Sequence, residues 1–391
     1  MPPSIAIVTS AHPTDDTRVF HKFAKSFLDA GWQVSWAGVD LKTAGSQRPA
    51  EITWRLAPPP RSRAQRLLSV PRLLRTAREL PAPVDWLYCP DPDAMVAAIP
   101  IARRLRARLI FDIHEMFHET HMTKWVGRRE NRAASAAVRV GIRALAARAD
   151  IVASPAPALL EAYVDATRPQ ILLRNTVPRR FADAVTAARA AEPPEGPLFM
   201  AGKPGRSRGI PEIAKALEYV AAEHGSTARA LVLGEAQELR TTLEADEPGL
   251  WDRTSRFFVV SRPVPHDTMP KTLAPCTAGI IGYTGPMAGP NLGNRTFEYM
   301  AAGIPVLAPV ESPRIAEILD SQGCGLKYSN ADYRTLGEAM TQVITDDEGT
   351  RRMGAAGREA FLSTYSWDAE FERLLDLMSA LDRGALSAGP G

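Results

Sequence analysis

Residues Gly285 to Pro309 read GPMAGPNLGNRTFEYMAAGIPVLAP: a glycine-rich loop, a short helix and a buried strand in one unbroken run. Gly285, Gly289 and Gly293 let backbone approach a ligand closely, and the pattern predicts a helix starting near Asn294 and stopping at Gly303. Such a helix aims unpaired N–H groups and the positive end of its dipole at whatever the loop holds, which suits an anion. Arg295 adds a fixed charge at that end. One turn further in, Glu298 offers a carboxylate that can accept hydrogen bonds from a ribose diol. Asn291, Gly293, Asn294, Arg295, Thr296 and Glu298 are therefore the expected contacts of a nucleoside diphosphate. The competing reading is an amphipathic core helix that binds nothing.

On either side of this run, short apolar segments alternate with longer amphipathic ones, the rhythm of βαβ units and parallel sheets. Strands are expected at Ile5 to Thr9, Gln33 to Ala37, Trp86 to Cys89, Arg108 to Ile113 and Ile151 to Ser154. A second series follows at Leu198 to Ala201, Ala230 to Leu233, Phe257 to Val260, Ala278 to Tyr283 and Val306 to Ala308. In the stretch RRFADAVTAARAAEPPEGP no strand can be read, so an interdomain linker is expected over 179–197. The expected organisation is a first lobe over 1–178, that linker, a second lobe over 198–365, a last helix within 366–383 with Ser366 as its N-cap, and a disordered tail over 384–391.

The 391 residues, 45% hydrophobic and 23% charged, suffice for two cores, and a net charge of +3 is too small to argue for nucleic-acid binding. Cys89, Cys276 and Cys324 are isolated and odd in number, so neither a disulfide framework nor a zinc site is indicated. No leader or bilayer-length apolar run is read, and a cytoplasmic location is expected. The stretch from Arg61 to Leu80 interleaves arginines with leucines, with Pro71 expected to interrupt its helix. Such a surface suits contact with an anionic membrane or with an acceptor, or simply solvent.

Candidate chemistry sits in three loops. AGKPGRSRGI follows a strand and opens a helix; its Gly202, Lys203, Arg206 and Arg208 suit a diphosphate leaving group. LIFDIHEMFHE places Asp112, His114 and Glu115 at the end of an apolar strand, where open α/β sheets bind ligands. His114, His118 and His121 also have spacing that zinc can use. SAHPTDDTRVF carries His12, Asp15, Asp16 and Arg18 at the same edge; one aspartate is expected to cap the next helix, with Asp16 the candidate for acceptor deprotonation. Asp91 and Asp93 are expected to cap the helix that follows them rather than to bind metal.

The order N-x-x-N-R-x-F-E-Y-M-A-A-G-x-P-V from Asn291 to Val306 resembles the donor-site motif of the family 4 type of glycosyltransferases. Pro290 stands where much of that family has a further glutamate. The loop after Ala201 resembles the family's G-R-x(n)-K-G element, with Lys203 at the arginine position and Arg208 at the lysine position, and Asp112 to Glu115 resembles its D-x-H-E segment. The resemblance implies an α/β fold of GT-B architecture, two Rossmann-like lobes with parallel sheets facing an interlobe cleft. It also implies sugar transfer from a nucleotide-diphosphate sugar to an acceptor hydroxyl with retention of configuration, without metal or other cofactor. By the same resemblance His114 lies beside the transferred sugar, the last helix crosses back to the first lobe, and uridine or guanosine diphosphate is the common donor nucleotide, with thymidine diphosphate an option. An epimerase or phosphorylase of the same architecture, or a nucleotide-sugar binder without turnover, are the competing functions.

Overall fold

The computed structural model describes residues 2–41, 48–59, 69–114, 132–191, 196–285, 288–289 and 292–384. The chain forms two compact units, one of Met1–Leu173 with Phe371–Gly391, the other of Arg174–Glu370.

The sheet of the first unit has the order β3-β2-β1-β4-β5-β6-β7. Its strands are β1 (Ser4–Thr9), β2 (Gln33–Val39), β3 (Thr53–Ala57), β4 (Trp86–Cys89), β5 (Arg108–Asp112), β6 (Ile151–Ser154) and β7 (Gln170–Leu172). Every neighbouring pair is parallel. The winding direction reverses between β1 and β4, so the crevice at their carboxyl ends is the topological switch point. Residues of β1 and β4 are buried on both faces. One face packs Val8, Leu87, Phe111 and Met95 together, and Phe23 stacks on Tyr88 with ring centroids 4.1 Å apart. β3 was not anticipated: each of its residues is half-buried at the sheet edge, so its pattern lacks the apolar run that marks the inner strands. Pro71 does not interrupt the helix Ser69–Ala77 but sits in its first turn, where a missing N–H breaks no helical hydrogen bond.

The second unit repeats the plan with the order β10-β9-β8-β11-β12-β13. The strands are β8 (Leu198–Gly202), β9 (Arg229–Leu233), β10 (Phe258–Ser261), β11 (Ala278–Ile280), β12 (Val306–Pro309) and β13 (Gly325–Tyr328). Here the reversal falls between β8 and β11.

The expected linker requires correction. Residues Arg179–Ala191 form a helix of the second unit, and Phe181, Ala182 and Val185 enter its core with Leu273, Phe297 and Met300. The division falls earlier, after Leu173. An alanine-rich segment with Phe181 and Val185 one turn apart is a good helix former; seeking only strands there missed it. We expect Phe181→Ala to destabilise the second unit by about 3–5 kcal/mol, measurable by urea unfolding, whereas a linker residue would cost almost nothing.

The last helix, Trp367–Asp382, begins as anticipated: Ser366 Oγ accepts the Ala369 N–H at 3.2 Å. The division of the chain passes through it, after Glu370. In the first unit, Phe371 meets Phe27 edge-on at 4.8 Å and Arg108 Nε pairs with Asp382 at 3.0 Å. Residues 385–391 of the expected tail lie outside the described residues. All three cysteines are free and buried.

Candidate functional site

In the second unit the helix and strand of the decisive run fold as anticipated. Its helix spans Asn294–Ala302, preceded by an extended Gly293 and stopped by Gly303 at φ 64°. Phe297, Tyr299 and Met300 are fully buried, and Tyr299 donates from its hydroxyl to the Met200 carbonyl at 3.3 Å, docking the helix on β8. That docking carries Arg295 to the end of β8, where Nη1 donates to Ala201 O at 3.2 Å. Gly202 has φ 90°, and a Cβ there would fall on the Arg295 guanidinium. The positive φ favours glycine there, and any side chain would have to push the guanidinium aside.

Around this pair, Gly209 and Gly282 approach so closely that a Cβ on either would strike the other's loop. Thr284 adds hydrogen bonds to Ser207 O at 3.1 Å and Arg206 O at 2.9 Å. The loops after β8 and β11 are thus knitted together at the switch point of the sheet. Asn294 is exposed at the helix start, Thr296 is fully buried with no hydrogen-bond partner for Oγ1 among the described residues, and Glu298 is 8% exposed.

Lys203 is exposed and Arg208 half-buried, each without an ion pair among the described residues. Arg206 has partners within the protein. It pairs with Asp246 at 2.8 Å and donates to Ala245 O at 3.3 Å, because Asp246, itself held by Lys215 at 2.8 Å, presents a carboxylate beside the loop. Asn291 and Pro290 lie outside the described residues.

In the first unit the switch point gathers polar groups from three strand ends. Asp91 was expected to cap the helix Pro92–Leu105 but turns to the loop after β1, where Oδ2 accepts Thr9 Oγ1 at 2.6 Å and the Ser10 N–H at 2.9 Å. Asp93 accepts Ser10 Oγ at 2.7 Å. His12 bridges two carboxylates, with Nδ1 3.2 Å from Asp16 and Nε2 3.3 Å from Asp91. Its ring lies edge-on to His114, 5.0 Å between centroids, and His114 Nδ1 is 3.3 Å from Asp112 O.

Burial alone would push His12 down, but the hydrogen bonds and charges of Asp16 and Asp91 outweigh it and raise the imidazole to about 10. For Asp16, burial acts to raise the pKa, while His12 and the backbone N–H groups of Val19 and Arg18 prevail and hold it at about 2. Those N–H groups donate to Asp16 Oδ1 at 2.7 and 2.8 Å. Asp16 is therefore the loop's capping carboxylate, and at that pKa it is a weak proton acceptor near neutrality.

Because the folded His12 pKa lies above its ordinary 6.5, its contribution to stability is complete below pH 6.5 and disappears as pH rises through about 10. Urea midpoints of the wild type and His12→Gln should therefore differ most at pH 6 and converge by pH 10. A difference that does not change with pH would contradict a charged His12.

Beneath this layer, Arg18 forks onto Asp112, Nε to Oδ2 at 2.7 Å and Nη2 to Oδ1 at 2.8 Å, while the Tyr88 hydroxyl donates to Oδ2 at 2.5 Å. Asp112 is inaccessible to solvent. Burial would raise its carboxyl, but the Arg18 charge dominates and holds it below the usual range. Sequence reasoning noted His12 and Arg18 without assigning partners, and missed Thr9 and Tyr88 altogether. Glu115, His118 and His121 lie outside the described residues. Among the described residues no group of three or more His, Cys, Asp or Glu is arranged to hold a metal ion, and no helix is long and apolar enough to cross a membrane.

Residues 214–376 match a family model described as glycosyl transferase-like. No curated protein matches the chain in sequence. Among solved structures, sucrose-phosphate synthase from Thermosynechococcus elongatus is similar at a TM-score of 0.69 and 15% identity, over 98% of this chain and 100% of that one. Anabaena HepE, solved in complex with UDP and glucose, gives 0.67 and 15% over 97% and 100%. The α,α-trehalose 6-phosphate synthase from Burkholderia multivorans gives 0.66 and 14% over 100% and 99%. The chain thus has the fold of the GT-B glycosyltransferases, two α/β units each built on a parallel sheet, with the glycosyl transferase-like match confined to the second unit and the start of the last helix.

Proposed function

We propose that the protein is a retaining glycosyltransferase of the family 4 type that moves a sugar from a nucleotide-diphosphate sugar to an acceptor hydroxyl. The observation that carries this reading is the Arg295 guanidinium seated over Gly202 at the head of the helix Asn294–Ala302. It puts a fixed cation, the first N–H groups of a helix and a side-chain-free backbone at one point, a combination that suits a diphosphate. The glycosyl transferase-like match over this unit supports the same reading. In it, Arg295, Lys203 and Arg208 stabilise charge as the bond from the sugar to the diphosphate breaks, Glu298 takes the ribose hydroxyls, and His114 contacts the transferred sugar. A phosphate oxygen of the leaving group accepts the acceptor proton, so no protein base is required and Asp16 is free for its capping role. The cations do the work a metal does elsewhere, and we assign neither metal nor cofactor. A uridine diphosphate sugar is the first donor to test, since the similar HepE was solved with UDP-glucose. We further assign a cytoplasmic location, with peripheral membrane contact through the basic stretch Arg61 to Leu80.

The test is thermal unfolding with a panel of nucleoside diphosphates and their sugars, because a ligand that binds only the native state raises its stability. One nucleotide is expected to raise the melting temperature in the wild type and not in Glu298→Ala; no shift from any nucleotide at millimolar concentration would sink the proposal. Pro290 in place of a family glutamate favours a second reading, a binder without turnover, which slow hydrolysis of the bound nucleotide-sugar would exclude.

A further inference from the structure

The first unit contains a cavity of about 590 Å³, lined by none of the switch-point residues, between the edge strand β3 and the helix Ser69–Ala77. Arg55, Arg72 and Arg75 line it, against one acid, Glu79. Arg72 and Arg75 are three apart and share a helix face, and among the described residues neither has an ion pair. Arg55 is fixed in orientation: Nε donates to Glu79 O at 3.1 Å and Nη1 to Trp54 O at 3.0 Å. It is held there by backbone carbonyls, which carry no net charge, and has no ion pair among the described residues. Ala57, Pro58 and Pro59 line the same hollow and give it an apolar part. Three like charges around one hollow repel one another, and an anion in their midst relieves that repulsion while accepting charge-assisted hydrogen bonds. Guanidinium forks match the oxygens of a phosphate in particular.

We propose that this cavity binds a phosphate group borne on an apolar body. That the bound molecule is the acceptor, a phosphate-bearing amphiphile, rests on the glycosyltransferase reading; the binding itself does not.

The test is calorimetric titration of the full chain at low salt with monomeric dihexanoyl phosphatidic acid, with inorganic phosphate, and with dihexanoyl phosphatidylcholine, which has no net charge. The wild type should bind the phosphatidic acid, R72Q/R75Q should bind it at least about tenfold more weakly, and the phosphatidylcholine should bind neither. Raising the salt should weaken the wild-type binding. Inorganic phosphate bound as tightly as phosphatidic acid, and lost in the variant, assigns the site to soluble phosphates; much weaker phosphate binding assigns it to a lipid headgroup. Equal phosphatidic acid affinity in wild type and variant, or no binding of either phosphate probe by the wild type, overturns the proposal. R72Q/R75Q should keep its nucleotide-induced thermal shift, which shows that it is folded, and Arg295→Ala should keep phosphatidic acid binding. Failure at the cavity is then distinguishable from failure of the nucleotide reading.

Discussion

Arg295→Ala is expected to reduce turnover of the nucleotide-sugar by about 10²–10³-fold while leaving the melting temperature of the free protein nearly unchanged, since removing one preorganised charge from a site of developing charge has that magnitude. The side chain contributes little to the fold: its one described bond is to the Ala201 carbonyl, at 3.2 Å. A second substitution reaches the same guanidinium from the other side. Gly202→Ala places a methyl where the guanidinium lies and forces a non-glycine residue to φ 90°, so it should displace Arg295 and lose a comparable share of turnover, with about 1–3 kcal/mol of backbone strain added. Since both changes remove one interaction, the double variant should be scarcely slower than either alone. Additive losses in steady-state kinetics would show that Gly202 and Arg295 act separately.

Arg18→Leu should be the most destabilising single change in the first unit, by about 3–5 kcal/mol, because it strands the buried Asp112 carboxylate with little beyond the Tyr88 hydroxyl. Replacing both partners with apolar residues, as in R18M/D112L, should recover much of the loss, for then no charge is left uncompensated. The pH dependence follows from Asp112, whose folded pKa is depressed: its contribution is present above the unfolded carboxylate value of about 4 and is lost as pH falls below it. Urea unfolding of the wild type should weaken on acidification through that range more than unfolding of the double variant. An Arg18→Leu protein as stable as wild type would mean that the fork contributes nothing.

What was legible in the sequence was local. The helix from Asn294 to its stop at Gly303, the cap at Ser366 and the inner strands all depend on residues within a few positions of one another. The missed strands all lie at sheet edges: β3 is half-buried throughout, β7 is three residues long, and β13 carries Gly325 and Lys327. The errors at the candidate sites have one origin. Arg18 and Asp112 are 94 residues apart, as are Arg295 and Ala201, and no pattern in the chain announces such a meeting. Asp91 looked like a helix cap because it precedes a helix. Its actual partners, Thr9 and Ser10, come from the other side of the switch point, and pairing of β1 with β4 is what brings them near. Likewise the meeting of Arg206 with Asp246, forty positions on, is not announced by its loop.

The three thiols turn the chain into its own recorder of local opening. Cys89 lies in the first unit, Cys276 and Cys324 in the second, all buried. Burial drives Cys89 well above the ordinary thiol value, Cys276 to about 12 and Cys324 to about 11, so none is nucleophilic while folded. Alkylation must therefore wait for unfolding, and mass spectrometry of the labelled peptides times each unit separately. Nucleotide should slow labelling of Cys276 and Cys324, whereas Arg18→Leu should accelerate labelling of Cys89, so one reagent distinguishes the unit that has opened from the one that has not.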